Sequence, residues 1–199
     1  MPNYNLEEIS KHKTPYLGNN SKVSAIINCL PLPSKNYIQR YMSLDTKEKP
    51  LGLTVYYEKQ EGSAGQNLNA SSYTIMEKNA LVLFAMIKNL DEIKFAYRDS
   101  KSTGSLDTSK YSVIFSYKRR DIENTYGNTA SMYDNLELLK NALYNNSSNN
   151  NFKKYSFYNL PEFTDEEVTS ARAVVEKYFK ALHDKNDKAI LETIHKKRK

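Results

Sequence analysis

Residues 73–90, YTIMEKNALVLFAMIKNL, decide how the rest of the chain is read. Ile75, Val82, Leu83, Phe84, Met86, Ile87 and Leu90 spread apolar surface over most of a helix's circumference, which suits a helix packed on a wide face and not one lying half in water. The uninterrupted apolar run within it, 80–87, ends at Lys88. It falls far short of the roughly 20 residues that cross a bilayer. The stretch therefore predicts the central helix of a soluble core. Asn79 interrupts its apolar face and reads as a buried amide satisfied by backbone, with a ligand contact as the alternative.

Working outward, strand patterns flank this helix on both sides. Downstream, Ile93, Phe95 and Tyr97 alternate through 92–98, and Tyr111, Val113, Phe115 and Tyr117 alternate through 111–117, with a polar loop over 99–110. Upstream, a Gly/Ser/Asn-rich loop spans 60–72. Before it, Leu51, Leu53, Val55 and Tyr57 alternate with Gly52, Thr54 and Tyr56, and in 36–44 Ile38, Met42 and Leu44 share one parity with Arg40. These last two patterns predict a hairpin turning over 45–50. Ahead of them Val23, Ile26, Ile27 and Leu30 form one helical stripe, capped by Asn20 or Ser21 and stopped by Pro31 and Pro33. Beyond the strands, 120–126 reads as a short helix ending at Gly127, and Met132, Leu136, Leu139 and Leu143 mark a longer one. The order α-β-β-α-β-β-α predicts an α+β fold, a four-stranded, largely antiparallel sheet with helices on one face.

The domain so defined spans 13–144. An Asn-rich linker follows over 145–163, containing NNSSNNN, and then a helical hairpin over 164–199 opened by the T-x-x-E capping pattern of Thr164 and Glu167. Two helices cannot bury their own apolar faces, so this pair docks on the first domain or on a partner, or begins a truncated second domain.

Composition excludes several function classes. With 39% hydrophobic residues the chain is lean in aliphatics, yet 16 Tyr and 7 Phe supply large packing bodies. Cys29, the lone cysteine, rules out an internal disulfide and a Cys-based metal site, and its place beside Leu30 reads as a small buried side chain. The formal charge of +6 owes +4 to the last four residues, Lys196, Lys197, Arg198 and Lys199. The remaining charges are interspersed in sign, the pattern of a solvated surface. The N-terminal MPNYNLEEISKHK has no apolar core or small-residue cleavage site of a signal peptide, and reads as a tail.

No grouping of residues assembles a catalytic site. His12, His183 and His195 make no H-x-x-x-H or H-E-x-x-H pair, so no metal is expected, and no serine sits in G-x-S-x-G. Gly62 and Gly65 lack the Lys-Ser/Thr of a phosphate loop. Asp165, Glu166 and Glu167 occupy a first helical turn, where negative charge complements the helix dipole. Tyrosine and basic residues interleave in Tyr37, Arg40, Tyr41 and in Tyr117, Lys118, Arg119, Arg120, which raises a nucleic-acid-binding sheet face as an alternative. An enzyme whose site is dispersed in sequence is a second alternative. No cofactor is called for.

The run Thr14-Pro15-Tyr16-Leu17-Gly18-Asn19-Asn20-Ser21-Lys22-Val23, then Leu30-Pro31-Leu32-Pro33, then Gly52-Leu53-Thr54-Val55-Tyr56-Tyr57, resembles a Firmicute domain-of-unknown-function family of the DUF4825 type. The resemblance extends from about residue 13 to 126. It implies a module of secreted lipoproteins, also found fused to membrane metallopeptidases of the BlaR/MecR sensor type, with no catalytic residues to carry over. Ala171 to Leu182 and Asp187 to Leu191 separately resemble the opening helices of an NTF2-like domain. The reading is thus of a non-catalytic extracytoplasmic interaction or sensing module whose partner is a protein or cell-envelope component. As written, without a signal or anchor, the chain is expected in the cytoplasm if it is the complete product. The contact surface expected is the loop carrying Tyr16, Gly18, Asn19, Asn20 and Lys22, whose amides lie near a helix N-terminus and suit an anion or a partner carbonyl. The alternative is a capping turn that only orients the helix.

Overall fold

In the computed structural model, which describes residues 3–61 and 68–145, the chain runs α1 (Leu6–Ser10), α2 (Asn20–Asn28), β1 (Tyr37–Asp45), β2 (Gly52–Lys59), α3 (Ala70–Met86), β3 (Glu92–Arg98), a single 3-10 turn (Thr108–Lys110), β4 (Ser112–Lys118), α4 (Arg119–Tyr126), α5 (Thr129–Asp134) and α6 (Leu136–Asn145). These elements belong to one compact unit, Met1–Tyr155. The expected linker beyond Asn145, the helical hairpin of 164–199 with its NTF2-like pattern, His183, His195, and the glycines Gly62 and Gly65 lie outside the described residues.

α3 is the axis of the core, as its composition predicts: from Ala80 to Ile87 no residue is more than 1% exposed. Its start differs from the reading, because Ala70 to Ser72 are helical and not loop. Asn69 and Ser72 close a capping box, each side chain accepting the other's backbone N–H at 3.2 Å, which sets the first turn three residues early. Its end also differs. Ile87 turns extended to pair with Thr14, so the helix stops at Met86 and not at Leu90. The N-terminal segment is no tail: Tyr4 and Ile9 are buried in the same core, ahead of residue 13.

The four strands lie in the order β1-β2-β3-β4. β1 pairs antiparallel with β2, and β3 with β4, but the central pair β2 and β3 is parallel, so the sheet is mixed. The reason is α3: a helix that runs back along the sheet between two neighbouring strands delivers the second in the same direction as the first. Leu53, Val55, Tyr57, Ile93, Phe95, Tyr97 and Phe115 share one buried cluster with residues of every α-helix, while Tyr56, Ala96 and Tyr111 form a second, small cluster on the opposite face.

Both edge strands carry a bulge, and each breaks the strict alternation that the sequence pattern predicts. In β1 the register slips between Gln39 and Tyr41, leaving Arg40 as the extra residue. Tyr37 and Met42 therefore face the core despite opposite parity, and Ile38 does not share a face with Met42. In β4 the slip between Phe95 and Ala96 leaves Ile114 extra, so Phe115 faces the core whereas Tyr111 and Val113 fall on the outer face. A strict period of two had placed all four alternating residues together.

The closing helices divide where one was expected. Asn135 is extended at φ −134°, and its side chain accepts the Glu137 N–H at 3.0 Å, restarting the chain as α6. α4 ends at Gly127, whose φ of +96° is the left-handed region that a glycine takes without steric cost.

Candidate functional site

The loop between α1 and α2 was the strongest contact candidate, and its backbone is fixed at both ends. Thr14 N donates to Met86 O at 2.9 Å and Lys88 N donates to Thr14 O at 3.1 Å, a short parallel bridge to the end of α3. Leu17 is sealed in the core, and its N–H donates to Asn89 Oδ1 at 2.6 Å. The helix cap is Asn19, ahead of both Asn20 and Ser21, because its Oδ1 accepts Lys22 N–H at 3.2 Å and leaves Asn20 as the first helical residue. Between these anchors Tyr16 stands 68% exposed, with Gly18, Asn19, Asn20 and Lys22 also at the surface.

A basic rim adjoins this loop. Lys22 Nζ donates to Lys13 O at 3.3 Å, and Lys13 Nζ donates to Tyr133 O at 3.1 Å while lying 4.7 Å from that ring's centroid. Lys88 Nζ sits 4.2 Å from the same ring and 3.7 Å from Asp134. Such an arrangement offers aromatic surface and ammonium groups to a partner. It holds no nucleophile paired with a base.

Asn79 is fully buried, and both ends of its amide are used: Oδ1 accepts from Tyr4 Oη at 2.8 Å and Nδ2 donates to Pro31 O at 2.8 Å. Its neighbours on α3 are likewise tied to the fold. The Lys78 ammonium donates to the carbonyl of Leu143 in the last turn of α6, and burial pushes its pKa down. Glu77 is raised by burial, with Tyr126 and Lys78 acting in opposition. Arg119 clamps the far end of α3, donating to Leu90 O at 2.8 Å, Phe84 O at 2.9 Å and Ile87 O at 2.7 Å, and also to Thr129 Oγ1. Of these, the Phe84 carbonyl is one that the end of α3 leaves without an intrahelical partner, and the Ile87 and Leu90 carbonyls belong to the turn beyond it. The basic and aromatic runs thus do not form one surface: Tyr37 faces the core, Tyr117 packs against it, and Arg119 turns to α3. Cys29 is half-buried at the end of α2.

The outer sheet face holds a constellation that the sequence reading missed. Glu58 is sealed from solvent, its Oε2 accepting Ser102 N–H at 3.0 Å and its Oε1 accepting the Tyr111 hydroxyl. Tyr41 bonds Ser102 Oγ at 3.0 Å and the Gly104 carbonyl, and the Tyr56 ring meets Tyr111 edge-on with centroids 5.0 Å apart. Burial acts to raise the Glu58 carboxyl, but the Ser102 and Tyr111 bonds and the Arg40 charge hold it below the ordinary carboxylate range. The Tyr111 phenol, buried and beside that carboxylate, is pushed up to about 12. The signal available was the Tyr56 and Glu58 pair on the outward parity of β2, a large ring beside a charge where small polar residues suffice.

A groove of about 510 Å³ opens at the hairpin end of the sheet, with Asp45, Glu48, Lys49, Glu92 and Lys94 along its walls. Its charges are mixed. Among the described residues no three His, Cys, Asp or Glu side chains are grouped to hold a metal ion, and no helix is long and apolar enough to cross a membrane.

No curated protein and no solved structure is significantly similar to the chain. A family model does match, over residues 9–108, from within α1 through β3 and into the loop beyond it. That span is half of the 199 residues and includes the Tyr16–Lys22 loop, Asn79 and Glu58, so the chain belongs to the family described as domain of unknown function DUF4825.

Proposed function

We propose that this domain is a non-catalytic interaction or sensing module of a bacterial cell-envelope protein, and that it meets a protein or other envelope component through the loop Tyr16–Lys22. The observation that carries this reading is the exposure of Tyr16 on a backbone fixed by the Thr14–Ile87 bridge on one side and by buried Leu17 on the other. An aromatic side chain held on a rigid support loses little freedom on binding, which is why such residues dominate interface energetics. The polar groups best suited to chemistry, Glu58, Lys78, Asn79 and Arg119, are meanwhile engaged in bonds that join parts of the fold. The envelope location is proposed from the resemblance of the 14–57 blocks alone, which implies a module of secreted lipoproteins.

A photo-crosslinking side chain in place of Tyr16 in the full chain, compared with the same probe at exposed Lys101, tests the loop in isolated envelope fractions. A discrete adduct formed from position 16 alone, and lost with Lys22→Ala, is expected. The same adducts from both positions, or none from 16, would remove the loop as the contact surface.

A further inference from the structure

We propose that residues 101–110, between β3 and β4, form a strap that opens from the outer sheet face as a unit, with Glu58 and Tyr41 as its two catches. The main helical core lies on the other side of the sheet, and on this side Tyr56, Ala96 and Tyr111 are joined by Tyr41 and by Leu106 of the strap itself. The strap's backbone takes no part in the ladder. Among the described residues its backbone–backbone bonds stay local, Lys110 N to Asp107 O and Tyr111 N to Thr108 O, both at 3.2 Å.

What fastens it to the sheet is concentrated on two sheet side chains, Glu58 and Tyr41. Ser102 N–H reaches Glu58 Oε2, and Tyr41 Oη reaches Ser102 Oγ and the Gly104 carbonyl. Gly104, at φ +106°, provides the turn that brings its carbonyl there. One root is held by Tyr37 Oη to Asp99 and by Arg98 Nε to Ser100 Oγ at 2.8 Å, while at the other Tyr111 donates to Glu58 and orients the carboxylate. A segment tied by so few contacts, with only Leu106 as apolar ballast, opens at lower free energy than the core that α3 anchors. Opening uncovers Glu58 and the Tyr56–Tyr111 pair without disturbing the strands beneath.

The catch depends on charge. Around Glu58 are Arg40 of β1, its register partner Arg98 on β3, and Tyr111 just ahead of β4. Because the carboxyl is held below its ordinary range in the closed form, its contribution to closure is complete at neutral pH and is lost as pH falls below about 4.

Amide hydrogen exchange on the full chain tests the strap. The Ser102 amide, the strap N–H bonded to the sheet, should exchange through an opening that leaves Leu81 to Met86 protected. Tyr41→Phe removes a catch without touching the buried charge, and should speed strap exchange about tenfold with the α3 amides unchanged. Glu58→Gln should act in the same direction and abolish the rise in opening at low pH, after correction for intrinsic exchange. If Glu58→Gln does not fold, Tyr41→Phe decides. Strap amides that exchange in step with α3, or that are indifferent to Tyr41→Phe, would overturn the proposal.

Discussion

Asn79 shows how a single polar residue earns a place inside an apolar helix. Its amide joins α3 to Tyr4 on one side and to the Pro31 carbonyl on the other, so three segments distant in sequence are held by one side chain. Replacing it with leucine leaves the Tyr4 hydroxyl only its longer bond to the Ile75 carbonyl, at 3.4 Å, and takes the donor away from the half-buried Pro31 carbonyl. The expected loss of stability is about 2–4 kcal/mol, read as a lowered urea midpoint at constant m-value. The residue's burial was legible in the sequence because it interrupts an apolar face. Its partners were not, since Tyr4 lies in a stretch with no helical or strand period to place it. Glu58 was still less legible: facing outward from a strand, it takes its identity as a buried group from a loop whose fold-back leaves no mark in composition.

At the scale of elements, propensity and period located every strand and α2 to α4, and failed where a side chain or a slip of one residue intervened. Asn69 with Ser72 moved the start of α3, Asn135 cut the last helix in two, and the extra residues Arg40 and Ile114 reversed the faces of two edge strands. A periodic pattern carries no label for a bulge, because the inserted residue looks like any other until the partner strand is known. The parallel pairing of β2 and β3 is a consequence of adjacency, which the order of elements alone leaves open. The bulge in β4 gives a sharp expectation. Deleting Ile114 removes the extra residue and keeps Phe115 inward and Val113 outward, so the protein should fold with a loss of no more than about 1 kcal/mol. Deleting Ser116, two positions on, forces either Phe115 or Tyr117 off the core face, at a cost of about 2–4 kcal/mol. Thermal unfolding of the two deletions, side by side, checks the difference.

For the molecule as a whole, the family match and the folding unit do not coincide. The match stops at residue 108, before β4, which pairs along β3, and before Arg119, which closes the end of α3. A protein ending at 108 should therefore lack cooperative unfolding, whereas one ending at 155 should retain it, as circular dichroism melts of the two will show. The first residues of the chain are part of this dependence. Tyr4 N–H donates to the hydroxyl of Tyr144 at 3.1 Å, a contact across 140 positions of sequence. During synthesis this segment leaves the ribosome well before Tyr144 and has to wait for nearly the last of this unit before it can settle. Until then the core surface that receives Tyr4 and Ile9 stands open to water, so the interval between the emergence of α3 and that of α6 is when this nascent chain most needs a chaperone's cover.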